Sequence, residues 1–177
     1  MKKALLTALA MCIGLMLNAQ ETTSYERLLL DGWRFQKGAA EGAQKPDFDD
    51  SGWQLVRIPH DWAISGPFEK EIDMQVVAIE QNGERTATEK TGRTGSLPWL
   101  GEGWYRTQIE IPEGYSHAEI QFDGAMSEPT VYLDGEEIGY WANGYSTFAL
   151  DITGSLPRDR SAEGRIMPGT HTLAVHL

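Results

Sequence analysis

The chain has 177 residues, with 15 Lys and Arg against 26 Asp and Glu and a formal net charge of −11. That balance argues against nucleic acid and against anionic membrane surfaces, which need cationic patches, and it suits a neutral ligand. Nineteen glycines with six Trp and six Tyr point to a turn-rich, aromatic-studded β domain, and a single cysteine excludes an internal disulfide.

Residues 1–20, MKKALLTALAMCIGLMLNAQ, begin with Lys2 and Lys3, continue apolar from Ala4 to Leu17, and close on Asn18-Ala19-Gln20. A basic head, an apolar run too short to span a bilayer and a small residue at the exit describe a secretory signal peptide cleaved after Ala19 or Gln20. Cys12 lies inside this run as apolar filler; Met11 before it is a poor match to a lipoprotein cleavage site. The mature chain, 21–177, is therefore expected to be secreted or periplasmic, and it is two positive charges poorer than the precursor.

Strands follow. WQLVRI (53–58) is apolar and β-branched. The segment 69–98 is long and polar, with a hairpin expected where MQVVAIE turns at Asn82-Gly83 into TATEK. In WYRTQIEI (104–111), Tyr105, Thr107, Ile109 and Ile111 share one face, and Arg106, Gln108 and Glu110 share the other. HAEIQFD (117–123) puts Ala118, Ile120 and Phe122 together. In PTVYLDGEEIGYW (129–141), Asp134-Gly135 sits between two runs and calls for a two-residue hairpin turn, since both positions tolerate positive φ. STFALDI (146–152) comes next, then an exposed loop, GSLPRDRSAEGRIMPG. The terminal GTHTLAVHL (169–177) alternates Leu173, Val175 and Leu177 against Thr172, Ala174 and His176, so it predicts a strand needing neighbours on both sides. Many short strands without 3.6-residue periodicity mean an all-β sandwich or barrel.

The chemistry is sparse. DFDDSG places Asp47, Asp49, Ser51 and Gly52 at the start of a calcium-loop pattern, but Ile58 stands where the bidentate Glu belongs. An acidic turn before a strand is the reading, and no metal or cofactor is expected. His171 and His176 are five apart on a strand and face opposite sides. Glu136-Glu137 flank a hairpin turn and point oppositely, whereas glycoside hydrolysis needs two carboxyls facing each other across a substrate. No complete catalytic constellation is present, and no catalytic residue is assigned.

Four stretches occur in a telling order: DGWRFQKG, PDFDDSGWQLVRIPHDWAI, GEGWYRTQIEIP and IQFDGAMSEPTVYLDGEEIGYWANGYSTFALDIT. The linked pattern of Trp53 with Pro59-His60-Asp61-Trp62, Gly103-Trp104-Tyr105-Arg106, and Phe122-Asp123-Gly124 with Val131-Tyr132-Leu133-Asp134-Gly135 resembles the N-terminal sugar-binding domain of glycoside hydrolase family 2. It is most similar to the β-galactosidases exported by Bacteroidetes-like bacteria, and the resemblance covers nearly all of 26–177.

The resemblance implies a jelly-roll β-sandwich over 21–177, incomplete at its C-terminal end and followed in the family by an immunoglobulin-like sandwich and a TIM barrel carrying both catalytic glutamates. On that basis the sequence reads as a truncated gene product or a fragment, inactive alone, of an enzyme acting on a galactoside-type glycan. The resemblance by itself leaves galactoside, glucuronide and mannoside open. It also implies that the loop at 66–75, after Pro59-His60-Asp61-Trp62, contributes a polar contact to the sugar, with Asp73 and Gln75 as candidates; an ordinary solvated loop acid is the alternative for Asp73. Trp62, Trp104 and Tyr105 are read as packing rather than sugar platforms, and Arg106 as pairing with the Asp61 region. Two further readings stand beside this one: a free-standing carbohydrate-binding module, which would expose an aromatic row, and a purely structural sandwich.

Overall fold

The structure, a computed structural model, describes residues 24–65, 74–91, 101–160 and 164–177. The leader expected at 1–20, Cys12 and Asp73 lie outside these residues. Ten strands are described: β1 (Trp33–Lys37), β2 (Gln54–Val56), β3 (Met74–Val77), β4 (Thr88–Thr91), β5 (Gly103–Ile111), β6 (Glu119–Phe122), β7 (Thr130–Leu133), β8 (Glu136–Tyr140), β9 (Phe148–Asp151) and β10 (Gly169–His176). The only helical pieces among the described residues are 3-10 turns at Ala63–Ser65 and Glu80–Asn82.

Six strands form one antiparallel sheet in the order β2-β1-β5-β10-β7-β8. The terminal strand thus has its two neighbours, with Leu173 opposite Thr107 of β5 and Leu133 of β7. β6 and β9 pair antiparallel and form the facing layer, with Ile120 opposite Leu150 and Phe122 opposite Phe148. Gly139 of β8 marks the close approach of the two layers: a Cβ there would stand 2.5 Å from Leu150 Cδ2. Between the layers lies one core of Trp33, Phe35, Tyr105, Ile109, Ile120, Val131, Leu133, Phe148, Leu173 and Val175. Tyr105, Ile109, Ile120, Leu173 and Val175 come from the alternation read in the sequence, and Val131, Leu133 and Phe148 from the strand runs named there, whereas Trp33 and Phe35 lie outside those readings. The fold is an antiparallel β-sandwich, in line with the jelly-roll expectation.

The Asp134-Gly135 turn is as expected, with φ of 49° and 92° at the two positions. Asp134 does more than turn the chain. Its Oδ1 accepts from the backbone N–H of Thr172 at 2.8 Å, and its Oδ2 accepts from Nδ1 of His171 at 2.6 Å. The hairpin is thereby pinned to β10. The β3–β4 hairpin also forms, with Met74 opposite Thr91 and Val77 opposite Thr88, and Gly83 at φ 75° closes its turn.

Three expectations need correction. The loop after β9 is not simply exposed. Leu156 and Ile166 are 4% and 1% exposed and complete the core, while Arg158 and Ile166 bridge the two arms of the loop. The run 53–58 yields only three strand residues, of which Val56 alone is buried and Leu55 is 64% exposed, because β2 is an edge strand. Finally, Arg106 does not pair with the Asp61 region. The Asp61 carboxylate instead accepts from the backbone N–H of Ala63 at 3.0 Å, and Arg106 is held elsewhere, as described below.

Candidate functional site

The Pro59-His60-Asp61-Trp62 segment folds over one end of the six-stranded sheet and builds an aromatic cluster with β1 and β5. Phe35 is at its centre, with ring centroids 4.9 Å from His60, 5.1 Å from Trp62 and 4.8 Å from Tyr105. Trp62 lies nearly parallel to Tyr105, at 18°. The indole occupies the space that a side chain at residue 103 would need, since a Cβ on Gly103 would fall 1.9 Å from Trp62 Cζ3. Glycine at that position is therefore a packing requirement, which explains why Gly103 and Trp62 belong to one linked pattern. Gly103→Ala is expected to displace the indole and cost about 1–3 kcal/mol, as overpacking does. Urea melts would check this, and a double-mutant cycle with Trp62→Leu should recover part of the loss.

His60 Nδ1 and the Tyr105 hydroxyl are 2.8 Å apart. Burial lowers the His60 pKa from its ordinary value, the neighbouring Asp61 charge opposes this, and Lys37 adds to the lowering. Burial, and then Asp61, raises the Tyr105 hydroxyl. Both shifts favour the neutral forms, a hydroxyl and an uncharged imidazole. An unfolded histidine takes up its proton near about pH 6.5, whereas folded His60 does so only lower. Between those values the unfolded chain binds more protons, so this group's contribution is complete above the window and is lost as pH falls through it. Thermal melts from neutral pH downward should show wild type losing stability just below about pH 6.5 more steeply than His60→Gln. Identical profiles would remove His60 from the account.

The opposite face of the same sheet is covered by the chain between β1 and β2. Trp104 is sandwiched by His176 at 4.5 Å and Tyr132 at 5.8 Å, and Ala43 packs with it. His176 Nε2 donates to Glu102 Oε2 at 2.8 Å. Arg106, only 1% exposed, anchors this covering segment. Its Nε donates to Asp50 Oδ2 at 2.8 Å, its Nη1 to the carbonyls of Ala43 and Lys45, and its guanidinium lies 5.4 Å from the Phe48 ring centroid. The acidic turn is therefore structural, since Asp50 holds Arg106 and Asp49 Oδ1 accepts from the backbone N–H of Ser51 at 3.0 Å. Among the described residues no three His, Cys, Asp or Glu side chains gather in a group able to hold a metal ion.

Of the two sequence-predicted sugar contacts, Gln75 sits in β3 opposite Lys90 of β4 and is half-buried. Asp73, next along the same loop, lies outside the described residues. An open depression of about 400 Å³ on this hairpin is lined by Ala78, Glu80, Gly83, Glu84 and Arg85. Glu84 there accepts from the backbone N–H of Ile79 at 2.9 Å and pairs with Lys90 at 3.0 Å, and the Ile79 bond is the chief reason its carboxyl titrates low. Such a carboxylate is a fastener for the turn, not a proton donor. Glu136 and Glu137 are both exposed, flanking the β7–β8 turn as read from sequence. Trp104 and Tyr105 are packing residues, buried to 7% and 8% exposure, and half-buried Trp62 packs against the core.

The sequence reading missed one set of aromatics. Tyr145 is 86% exposed, and Trp141 is 39% exposed, in the loop between β8 and β9. The signal was present in YWANGYST, where two aromatics fall outside the strand alternation among turn-forming residues.

No family model matches the chain. It is 33% identical over 129 residues to the β-galactosidase BoGH2A of Bacteroides ovatus, a match spanning 72% of this chain and 13% of that protein. A β-galactosidase of Thermoanaerobacter pseudethanolicus is 27% identical over 124 residues, 68% of this chain and again 13% of the relative. Among solved structures, a Bacteroides uniformis β-glucuronidase superposes with a TM-score of 0.58 at 27% identity, covering 85% of this chain and 14% of that one. A glycosyl hydrolase family 2 member from Bacteroides cellulosilyticus superposes with a TM-score of 0.63 at 23% identity, a likeness of fold, covering 85% of this chain and 17% of that one. The chain thus spans about 13% of the length of these curated relatives. The chain is thus an antiparallel β-sandwich similar in sequence to β-galactosidases and in fold to glycoside hydrolase family 2 enzymes, and it matches a small fraction of their length.

Proposed function

We propose that this chain is the non-catalytic N-terminal sandwich module of an exported, β-galactosidase-type glycosidase of carbohydrate catabolism, whose hydrolytic carboxyls lie in other domains. The observation that carries this reading is the asymmetry of the match to BoGH2A, most of this chain against about an eighth of the relative. The chemistry of the described residues agrees. Retaining hydrolysis needs two carboxyls about 5–5.5 Å apart facing one glycosidic bond, one of them held protonated. Among the described residues, Asp50 is held by Arg106, Asp134 by His171 and Glu84 by Lys90. The loop that ends at Gln75 is proposed to reach toward the sugar through Asp73 and Gln75, and residues 1–20 to direct export.

The purified chain is expected to release no chromophore from aryl β-galactosides or aryl β-glucuronides above buffer. Turnover abolished by replacing one Asp or Glu within 21–177 would contradict the reading.

A further inference from the structure

We propose that Asn143 is a site of spontaneous covalent modification, closing with Gly144 to a succinimide that water opens to aspartate and isoaspartate, while Asn82-Gly83 is protected by its fold.

Residues 21–177 contain two asparagines, Asn82 and Asn143, and each precedes a glycine. Glycine is the permissive neighbour, because no Cβ obstructs the approach of its backbone nitrogen to the asparagine amide carbon. The dipeptides are identical, so local structure has to distinguish the two sites.

At Asn82 the structure opposes the reaction. Asn82 ends the 3-10 turn Glu80–Asn82. The attacking atom would be the backbone nitrogen of Gly83, but its N–H donates to the Glu80 carbonyl at 2.9 Å, and the Asn82 N–H donates to the Ile79 carbonyl at 3.0 Å. A hydrogen-bonded N–H gives up its proton less readily, and attack would break the bond that closes the turn. Glu84 adds to this. Its carboxylate, fastened to the Ile79 N–H and to Lys90, also interacts with the Asn82 side chain. An anion there repels the negative charge that attack would place on Asn82 Oδ1.

At Asn143 the arrangement is reversed. The residue is exposed in the loop between β8 and β9. The Tyr145 backbone N–H donates to Asn143 Oδ1 at 2.9 Å. That bond closes a ring of side chain and main chain containing both Asn143 Cγ and Gly144 N, so the reacting atoms are held on one side of the loop. It also aims a fixed donor at the oxygen on which negative charge develops, as an oxyanion hole does. Among the described residues no acceptor takes the Gly144 N–H. Packing keeps glycine at this position, since a Cβ there would stand 2.9 Å from Met126 Cα.

The reaction balances with water as its only co-reactant. Gly144 N loses its proton to solvent and bonds to Asn143 Cγ, and the C=O electron pair moves to Oδ1. Collapse of this intermediate breaks the Cγ–Nδ2 bond, and Nδ2 takes up a proton and leaves as ammonia. Water then opens the ring at Cγ, giving aspartate, or at the main-chain carbonyl of residue 143, giving isoaspartate. Either product adds a negative charge. Isoaspartate also adds a carbon to the main chain between Trp141 and Ser146, whose indole N–H and Oγ are 2.9 Å apart.

The two sites fall on different tryptic peptides, 71–85 and 107–158, so peptide mapping by mass spectrometry reads them separately. The full chain is aged in mildly alkaline buffer, folded and in concentrated urea, and isoaspartate is confirmed by enzymatic methylation of the peptides. In the folded chain, conversion in 107–158 is expected to run about tenfold or more faster than in 71–85, and in urea the two rates should converge. Asn143→Gln, a change at an exposed side chain, should remove the fast signal from 107–158. Equal or reversed rates in the folded chain would overturn the proposal. So would a rate ratio that persists in urea, which would assign the difference to neighbouring residues, or a fast signal that survives Asn143→Gln, which would assign it to the glutamines of that peptide.

Discussion

Arg106→Met will destabilise the domain by about 3–5 kcal/mol, the range for removing one partner of a buried ion pair. Methionine fills similar volume, so the loss isolates the polar role. Arg106 is 1% exposed and supplies hydrogen bonds to Asp50, Ala43 and Lys45 at once. Without it, two backbone carbonyls under the covering segment lose their donor and Asp50 loses its counter-charge. Asp50→Asn should cost less, because the Asp50 side chain is 28% exposed and water can take up part of the contact, while the carbonyl bonds of Arg106 survive. Equilibrium urea unfolding of both variants checks the order. A loss below about 1 kcal/mol for Arg106→Met would mean that the guanidinium is replaceable by packing, as some buried ion pairs are.

Leu173→Ala should cost about 3–5 kcal/mol. Leu173 is 0% exposed on the central strand of the larger sheet, flanked by Thr107 and Leu133. Both flanking strands are fixed by their own ladders, so the site cannot collapse to fill the void, and the cavity adds to the lost transfer energy. Leu55→Ala, on the edge strand and 64% exposed, should stay within about 0.5 kcal/mol by the same melts. Equal effects at the two leucines would place the core elsewhere.

These two sites show what the sequence could and could not say. Leu173 is legible, because period-two alternation in GTHTLAVHL reports a buried face directly, and the same signal finds β5 and β6, while the Asp134-Gly135 turn locates β7. Arg106 was half legible. Alternation correctly puts it on the face opposite Tyr105, but a polar residue on that face reads as solvent-exposed. The covering segment and its anchor at Asp50 lie 56 residues away, a long-range fact. β1 escaped because five residues carrying only Trp33 and Phe35 as apolar members give a weak period. Leu156 and Ile166 escaped because isolated apolar residues in a polar loop carry no periodicity at all, and their burial is set by how the loop folds back. At the candidate site, the packing roles of Trp104 and Tyr105 follow from their strand positions. Trp62 follows from its pairing with Gly103. Trp141 and Tyr145 differ: their exposure comes from loop geometry, which local pattern does not specify.

A non-catalytic sandwich module of the kind proposed is expected to be exchangeable with the segment of a relative that it matches. The most direct measurement replaces the matching segment of Bacteroides ovatus BoGH2A with residues 24–177 of this chain and assays aryl β-galactoside hydrolysis. An active chimera is expected, with turnover that survives replacement of any single Asp or Glu side chain within the grafted segment, other than the structural anchors Asp50 and Asp134 and the proposed sugar contact Asp73. A chimera that folds but loses activity, or one whose turnover depends on an acid in the graft such as Glu136 or Glu137, would contradict it.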